Sequence, residues 1–524
     1  MTAPSNLEQA LASRREGRMA DAERFCLAAL SEKPGFAPVI YLLGELLWAR
    51  GAYDEACDRF GQAIPAADKF AQDYLANQIQ RLNQCDWHGY ESSRALTTRL
   101  VRTGGAVVNP VNFMYISDSA SDQSLCARLT AYRKYPAARP LWTRRSRRPG
   151  KIRLGYLSSD FYDHAVAHVI AGVFEHHDRN AFELTAISCC PEWQSPIRNQ
   201  ITGAFDHFLN VMDLDDMTVA RLIFDRDIDV LISLSGYAYR ARPQILAHRP
   251  APVQVSFLGF PGSLGAPYVD YLIADQIVLP PEERRFYAEK IAWMPHVYQP
   301  TDDRNFRGPA VSDRQSEGLP ADGVVLMAYN QLCKVSPGMF AAWMRILHRS
   351  PRAVLWLSEG GDAARINLRQ AARDSGIDPA RLIFAPRIAS REAHLARHHL
   401  ADLFIDTLPY NAHSTASDAL WFGLPVVTCR GGAFPGRVCA SLVTAAGFPE
   451  LAVDGLDDYE NLIVDLAGDP ARLAALRQQV ERRAPESPLF QTENYTRHLE
   501  SAYRTMYEAS QSGLAPESFA VKAS

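Results

Sequence analysis

The chain has 524 residues, 47% of them hydrophobic and 22% charged, with a formal net charge of −4. This length exceeds one ordinary hydrophobic core, so two or three domains of a soluble globular protein are expected. The charge balance supplies no global basic field for nucleic acid, residues 1–15 lack the apolar stretch of a secretory signal, and no run of about 18 apolar residues spells a membrane span. The nine cysteines are scattered, with no Cys-x-x-Cys, which suggests neither a zinc site nor a disulfide framework. Reduced thiols in a cytoplasmic protein fit this pattern.

The first segment repeats itself. Ala10, Gly17, Ala22, Cys26 and Ala29 recur 34 residues later as Gly44, Gly51, Ala56, Phe60 and Ala63. Small residues let paired helices approach, glycine ends the first helix, and a large residue packs the second. This is the tetratricopeptide pattern, with Pro34 closing the first copy; an unrelated pair of helical hairpins is the alternative. Two copies are few for a free-standing solenoid, so they are expected to dock on the next helices in the chain. Residues 66–140 read as helical, with Tyr74, Leu75, Ile79, Leu82 and Trp87 as core candidates, giving a helical region over 1–140. The basic run 144–150 reads as a solvated linker, with anion binding as the alternative.

From Lys151 the texture changes. Residues 152–157, 182–188, 228–234, 253–258 and 271–274 read as strands with helical patterns between them, which predicts a parallel sheet covered on both faces. A polar loop, 158–168, follows the first strand. His164 there is suited to general-base work or to a sugar contact, while a capping or core histidine is the reading its spacing favours. The Gly/Pro loop 258–265, with Gly262, permits close backbone approach to a ligand or is simply a turn.

Residues 300–323 are rich in proline and charge and break the pattern. The alternation then restarts with strands at 324–328, 353–357, 382–384, 403–405 and 425–428 and a helix near 337–347. Two α/β lobes, 151–310 and 320–510, are expected to flank a cleft, with ligand beyond the carboxyl ends of the strands. Lys334 follows the first of these strands, before Ser336 as N-cap and Pro337. It is either a loop lysine at the surface or a cation placed to neutralise a departing diphosphate. After the 403–405 strand, His413, Ser414 and Thr415 open a helix whose free N–H groups and dipole suit a phosphate, and Asp418 lies one turn in, within reach of a sugar hydroxyl. A plain N-cap is the competing reading. His394 and His398 have the spacing of metal ligands beside Asp402 and Asp406, but no His-Glu-x-x-His and no further ligand at clear spacing accompany them, so no metal is expected. Gly-x-Ser-x-Gly is absent, which leaves a nucleophilic serine unsupported. The tail after Ser510 is small and polar and is expected to be disordered.

Six ordered segments are similar to those of the protein O-GlcNAc transferase/SPINDLY family, over residues 5–508. They are Gly155-Tyr156-Leu157-Ser158-Ser159-Asp160-Phe161 with His164; Arg249-Pro250-Ala251-Pro252-Val253-Gln254; Leu258-Gly259-Phe260-Pro261-Gly262; Asn330-Gln331-Leu332-Cys333-Lys334; Asn411-Ala412-His413-Ser414-Thr415; and Ser487-Pro488-Leu489-Phe490. The resemblance implies a GT-B fold, two Rossmann-like lobes with a cleft, behind tetratricopeptide-type helices. It implies an inverting, metal-independent transferase that moves N-acetylglucosamine from UDP-N-acetylglucosamine to Ser or Thr of an acceptor protein docked by the helical region, with no cofactor. Lys334 and Gln331 are then diphosphate contacts. His413, Ser414 and Thr415 hold phosphate, and Asp418 binds the ribose with Arg391 nearby. His394 stacks on the base, Gly262 lies on the donor side, and His164 stands near sugar and acceptor.

The chain departs from the animal members of that family. It has only about two clear repeats and lacks the long insertion between the lobes. Asp229 stands where a histidine is expected, and Cys333 replaces an aromatic beside the lysine. These differences bear on substrate range and donor sugar. Other cargoes in the broader family are a nonulosonic acid from CMP, fucose from GDP, or hexose from UDP to asparagine, on flagellins or adhesins. Two readings of other kinds are a tetratricopeptide adaptor with inactive lobes and a nucleotide-sugar epimerase.

Overall fold

The computed structural model describes residues 5–142, 150–304, 307–309 and 312–523; of the basic run 144–150, all but Gly150 lies outside them. The helical region opens on a capping box. Ser5 Oγ accepts the Glu8 N–H, and the Glu8 carboxylate accepts the Ser5 N–H. Four helices come in pairs, Asn6–Arg15 with Met19–Glu32 and Ala37–Ala49 with Tyr53–Ala63. Gly17 and Gly51 sit at the same point of each pair with φ of +74° and +85°, a turn that glycine adopts without strain. Gly44 is small for a visible reason: a Cβ there would lie 2.8 Å from the Phe60 ring. Helices Asp68–Asn83, Tyr90–Thr103, Pro110–Met114 and Ala120–Lys134 extend the region. The chain then runs along the first lobe, where the Ala138, Leu141 and Trp142 N–H groups donate to the carbonyls of Ala247, His248 and Arg249.

The first lobe holds strands β1 (Ile152–Ser158), β2 (Phe182–Ser188), β3 (His207–Asn210), β4 (Val230–Ser233), β5 (Val253–Ser256), β6 (Tyr271–Ala274) and β7 (Lys290–Trp293). The second holds β8 (Val324–Ala328), β9 (Ala353–Ser358), β10 (Leu382–Ala385), β11 (Leu403–Ile405), β12 (Val426–Cys429) and β13 (Ala452–Val453). A last strand, β14 (Phe519–Ala520), returns to the first lobe. The sheets are ordered β14-β7-β6-β5-β4-β1-β2-β3 and β10-β9-β8-β11-β12-β13, and every strand pairing is parallel. Most strands are buried on both faces, as parallel strands under helices must be. This is the GT-B arrangement.

The tail corrects one expectation. Beyond helix Thr492–Gln511 the chain is ordered onto the first sheet. Ser518 Oγ accepts the Ile291 N–H and the Arg284 Nε–H, both at 2.9 Å, and Phe519 packs on Tyr271 with ring centroids 6.1 Å apart. These partners lie more than two hundred residues upstream, so the local composition of the tail does not reveal them. The helix before it is also tied to the segment after β7, since the Tyr495 hydroxyl donates to the Tyr298 carbonyl. Among the described residues no helix is long and apolar enough to cross a membrane.

Candidate functional site

The carboxyl ends of β8 and β11 meet at one corner of the second lobe. Lys334 closes the single turn Leu332–Lys334 after β8. Its Nζ donates to the Asn411 carbonyl at 2.8 Å and stands 4.1 Å from the centroid of Tyr410. Tyr410 stacks on His413, with centroids 4.8 Å apart and planes at 28°. Burial lowers the Lys334 pKa to about 8. Burial and the neighbouring lysine together hold His413 well below the ordinary imidazole value, so its ring is neutral. Its Nε2 pairs with the Pro435 carbonyl at 3.2 Å and therefore carries the proton.

His413 also starts helix Ser414–Trp421. The helical ladder begins with Ala416 N–H donating to His413 O, so the N–H groups of Ser414 and Thr415 lie outside it, at the positive end of the dipole. Thr415 Oγ1 donates to Asn330 Oδ1 at 3.2 Å, and Asn330 Nδ2 donates to Thr407 Oγ1 at 2.9 Å. Beneath them lies Asp406, 1% exposed, whose carboxylate accepts the N–H groups of Thr407 and Ala412 and the Thr428 hydroxyl at 2.6–2.7 Å, and Asn330 Nδ2 of the lysine loop at 3.3 Å. Asp406 thus ties the lysine loop, the β11 loop and β12 into one frame. The sequence offered it only as a weighed metal ligand. Its donors come from three separate segments, a pattern that no local motif carries.

A second group of side chains sits on helices Arg391–Ala396 and Ser414–Trp421. Arg391 opens helix Arg391–Ala396, and its guanidinium lies 3.4 Å from Asp418. Burial raises the Asp418 pKa and Arg391 opposes the rise. His394 stacks on Tyr329 with centroids 5.6 Å apart and planes at 22°, and His398 stands edge-on to it at 6.4 Å. Burial, with Arg397 and Arg391, lowers its pKa and keeps the ring uncharged. His398, the other residue at metal-ligand spacing, instead points Nδ1 at the Leu395 carbonyl at 2.7 Å and stacks on Phe422. Gln331 lies exposed in the same turn as Lys334.

Across the cleft, His164 is the N-cap of helix Ala165–His176. Its Nδ1 accepts the Val166 N–H at 3.3 Å and lies 3.8 Å from Asp160. The capping alternative is therefore realised. A neutral ring that accepts at Nδ1 carries its proton at Nε2, so it offers the cleft a donor; base duty would first require the cap to open. This loop faces the second lobe, as shown by the field of Arg391 at His168 and of Asp163 at Glu392. At Gly262 a Cβ would meet Met114 Cε of the helical region at 2.8 Å, so the missing side chain makes room for that region. The demanding position in that loop is Gly259, where a Cβ would lie 2.0 Å from the Leu234 carbonyl oxygen.

Known proteins are similar to this chain in sequence and fold. The glycosyl transferase family 41 pattern matches residues 117–308 and 299–499. A probable UDP-N-acetylglucosamine–peptide N-acetylglucosaminyltransferase, SEC of Arabidopsis thaliana, is 34% identical over 377 residues, 71% of this chain and 38% of that protein. The UDP-N-acetylglucosamine–peptide N-acetylglucosaminyltransferase of Caenorhabditis elegans is 25% identical over 476 residues, 70% of this chain and 41% of that protein. The chain thus spans well under half the length of these relatives. A mutant O-GlcNAc transferase of Thermobaculum terrenum superposes with a TM-score of 0.72 at 26% identity, covering 98% of this chain and all of the other. On this ground the chain is a member of glycosyl transferase family 41.

Proposed function

We propose that this protein is a glycosyltransferase that moves N-acetylglucosamine from UDP-N-acetylglucosamine to a Ser or Thr hydroxyl of an acceptor protein, with inversion and without a metal ion or cofactor. One observation carries the reading: a half-buried lysine, a neutral N–H-bearing histidine and the free N–H groups of a helix start converge at the strand ends of the second lobe. That is a cradle for a diphosphate. The donor is the one that the names of the plant and nematode relatives carry.

In this mechanism the acceptor oxygen attacks the anomeric carbon on the face opposite the nucleotide and gives up its proton to solvent as the new C–O bond forms. The carbon gains oxocarbenium character as its bond to phosphate breaks. Lys334, Gln331, His413 and the N–H groups of Ser414 and Thr415 hold the charge that collects on the leaving diphosphate. Asp418 and Arg391 bind the ribose, and His394 stacks on the base. His164 serves the sugar end through Nε2–H. The acceptor protein docks on the helical region, where a cavity of about 280 Å³ lies among Arg14, Tyr41, Glu45, Trp48, Tyr74 and Asn77. The setting is cytoplasmic, where the nine buried thiols stay reduced.

Thermal unfolding with UDP, GDP and CMP, each free and sugar-linked, tests the donor. A ligand at about 100 times its Kd adds roughly 2.7 kcal/mol of stability. Stabilisation by UDP alone supports the proposal, and stabilisation by GDP or CMP alone redirects it to fucose or a nonulosonic acid. No response to any of them removes the nucleotide-sugar reading in favour of an adaptor. Transfer of labelled sugar to lysate protein in EDTA then tests metal independence, which fails if the chelator abolishes transfer.

A further inference from the structure

We infer that residues 115–118 of the helical region form a brace for the diphosphate corner, and that Tyr115 and Asp118 are positioning residues for Lys334 and His413. The kinetic part of this inference rests on the proposed glycosyl transfer; the geometric part does not.

Two independent contacts carry it. The Tyr115 ring lies 5.4 Å from Tyr410, the same ring that lies under the Lys334 ammonium and stacks on His413. The Tyr115 hydroxyl also meets the thiol of Cys333, the residue before the lysine. One side chain from the helical region therefore touches both flanks of Lys334.

Asp118 acts from the other side. Its carboxylate accepts the Gly432 N–H at 2.7 Å and the Ala433 N–H at 3.3 Å. That loop folds back on itself through Gly431 N–H to Gly436 O at 2.7 Å. Its Pro435 carbonyl then accepts the Asn411 N–H at 2.9 Å and pairs with His413 Nε2. The Asn411 carbonyl is the acceptor for Lys334 Nζ. Asp118 is thus linked to both cationic and N–H donors of the corner through one short loop.

The loop is cut to fit this aspartate. A Cβ on Gly431 would lie 2.7 Å from Asp118 Oδ1, one on Gly432 would lie 2.7 Å from the Asp118 carbonyl, and one on Gly436 would lie 3.2 Å from Oδ1. Two glycines clear the space for the carboxylate and the third for the main chain of the same residue. The helical region is also held to the second lobe elsewhere, by Trp87 on Phe340 with centroids 5.2 Å apart and by Asn367 Nδ2 donating to the Gln84 carbonyl at 3.0 Å. Loss of Asp118 therefore loosens the loop without detaching the region.

The test uses the full chain with Tyr115→Ala, Tyr115→Phe, Asp118→Ala and Asp118→Asn. Titration of Lys334, followed by NMR of carbon-13-labelled lysine, reads the corner without any substrate. Its neighbours Cys333, Asp406, Cys439, Tyr410 and His413 are unchanged in all four variants. The wild type is expected to titrate near 8. Tyr115→Ala and Asp118→Ala admit water and move the titration up toward the ordinary lysine range, while Tyr115→Phe stays with the wild type. With UDP-N-acetylglucosamine, kcat is expected to fall on the order of tenfold in both alanine variants, more than the donor KM changes, because a small misplacement is felt most in the transition state. Asp118→Asn keeps an oxygen for the Gly432 N–H and recovers most of that loss. Folded alanine variants with wild-type titration and wild-type kcat overturn the brace. A shifted titration in variants of a wild type that uses no nucleotide sugar leaves the brace standing and removes the glycosyltransferase reading instead.

Discussion

Lys334 holds its charge where burial works against it. Its pKa is lowered to about 8, so the cation is present below that pH and lost above it. If the cation receives the donor, kcat/KM, which reports the free enzyme, falls as pH rises through about 8. A bound diphosphate favours the charged form, so the alkaline limb of kcat lies at higher pH; parallel limbs would contradict this role. His164 divides two roles that one substitution separates. Asparagine is as good an N-cap as most residues, so His164→Asn is expected to keep the melting temperature. It removes the imidazole, and turnover is expected to fall by about 10²-fold if the ring acts on the reacting groups. Unchanged turnover would leave His164 as a cap only. The corner itself was legible in the sequence, because a strand followed by His413-Ser414-Thr415 is a local pattern with a local reason. Asp406, Asn330 and Tyr410 were not assigned their parts, because their partners lie on loops up to 85 residues away.

At the scale of elements, the loop after β5 shows how close two similar glycines can come to being confused. Gly259→Ala drives a methyl into the Leu234 carbonyl at 2.0 Å, and a backbone oxygen cannot step aside. Gly262→Ala meets the tip of Met114, a flexible side chain, at 2.8 Å. Urea unfolding is expected to show a loss of about 3 kcal/mol for the first and a much smaller loss for the second. Equal losses would contradict the reading of that loop. The apolar strands β1, β2, β4, β5, β8 and β9 were plain in the sequence because both their faces are largely buried. β3 is half-exposed and polar at both ends, and β13 and β14 have two residues each. Strands of that kind exist through their neighbours, and periodicity has nothing to report for them.

At the scale of the whole molecule, the helical region is more than an appendage to two lobes. It lies against the first lobe through helix Ala120–Lys134, whose Arg128 backbone would be 2.5 Å from a Cβ on Gly265. It lies against the second lobe through Trp87, Tyr115 and Asp118. Docking of the two repeats on their neighbours was expected from the sequence, on the ground that two repeats cannot bury a core alone. That the contact would fall at the loops holding the lysine was not, since it is a meeting of surfaces. The whole mechanism depends on donor charge being received at Lys334. Turnover of UDP-N-acetylglucosamine into protein-linked sugar, compared between the wild type and a folded Lys334→Ala protein at saturating donor, is the decisive measurement. Transfer by the wild type and a loss of about 10²–10³-fold in kcat for the variant are expected. Near-normal turnover by the folded variant would contradict the assignment.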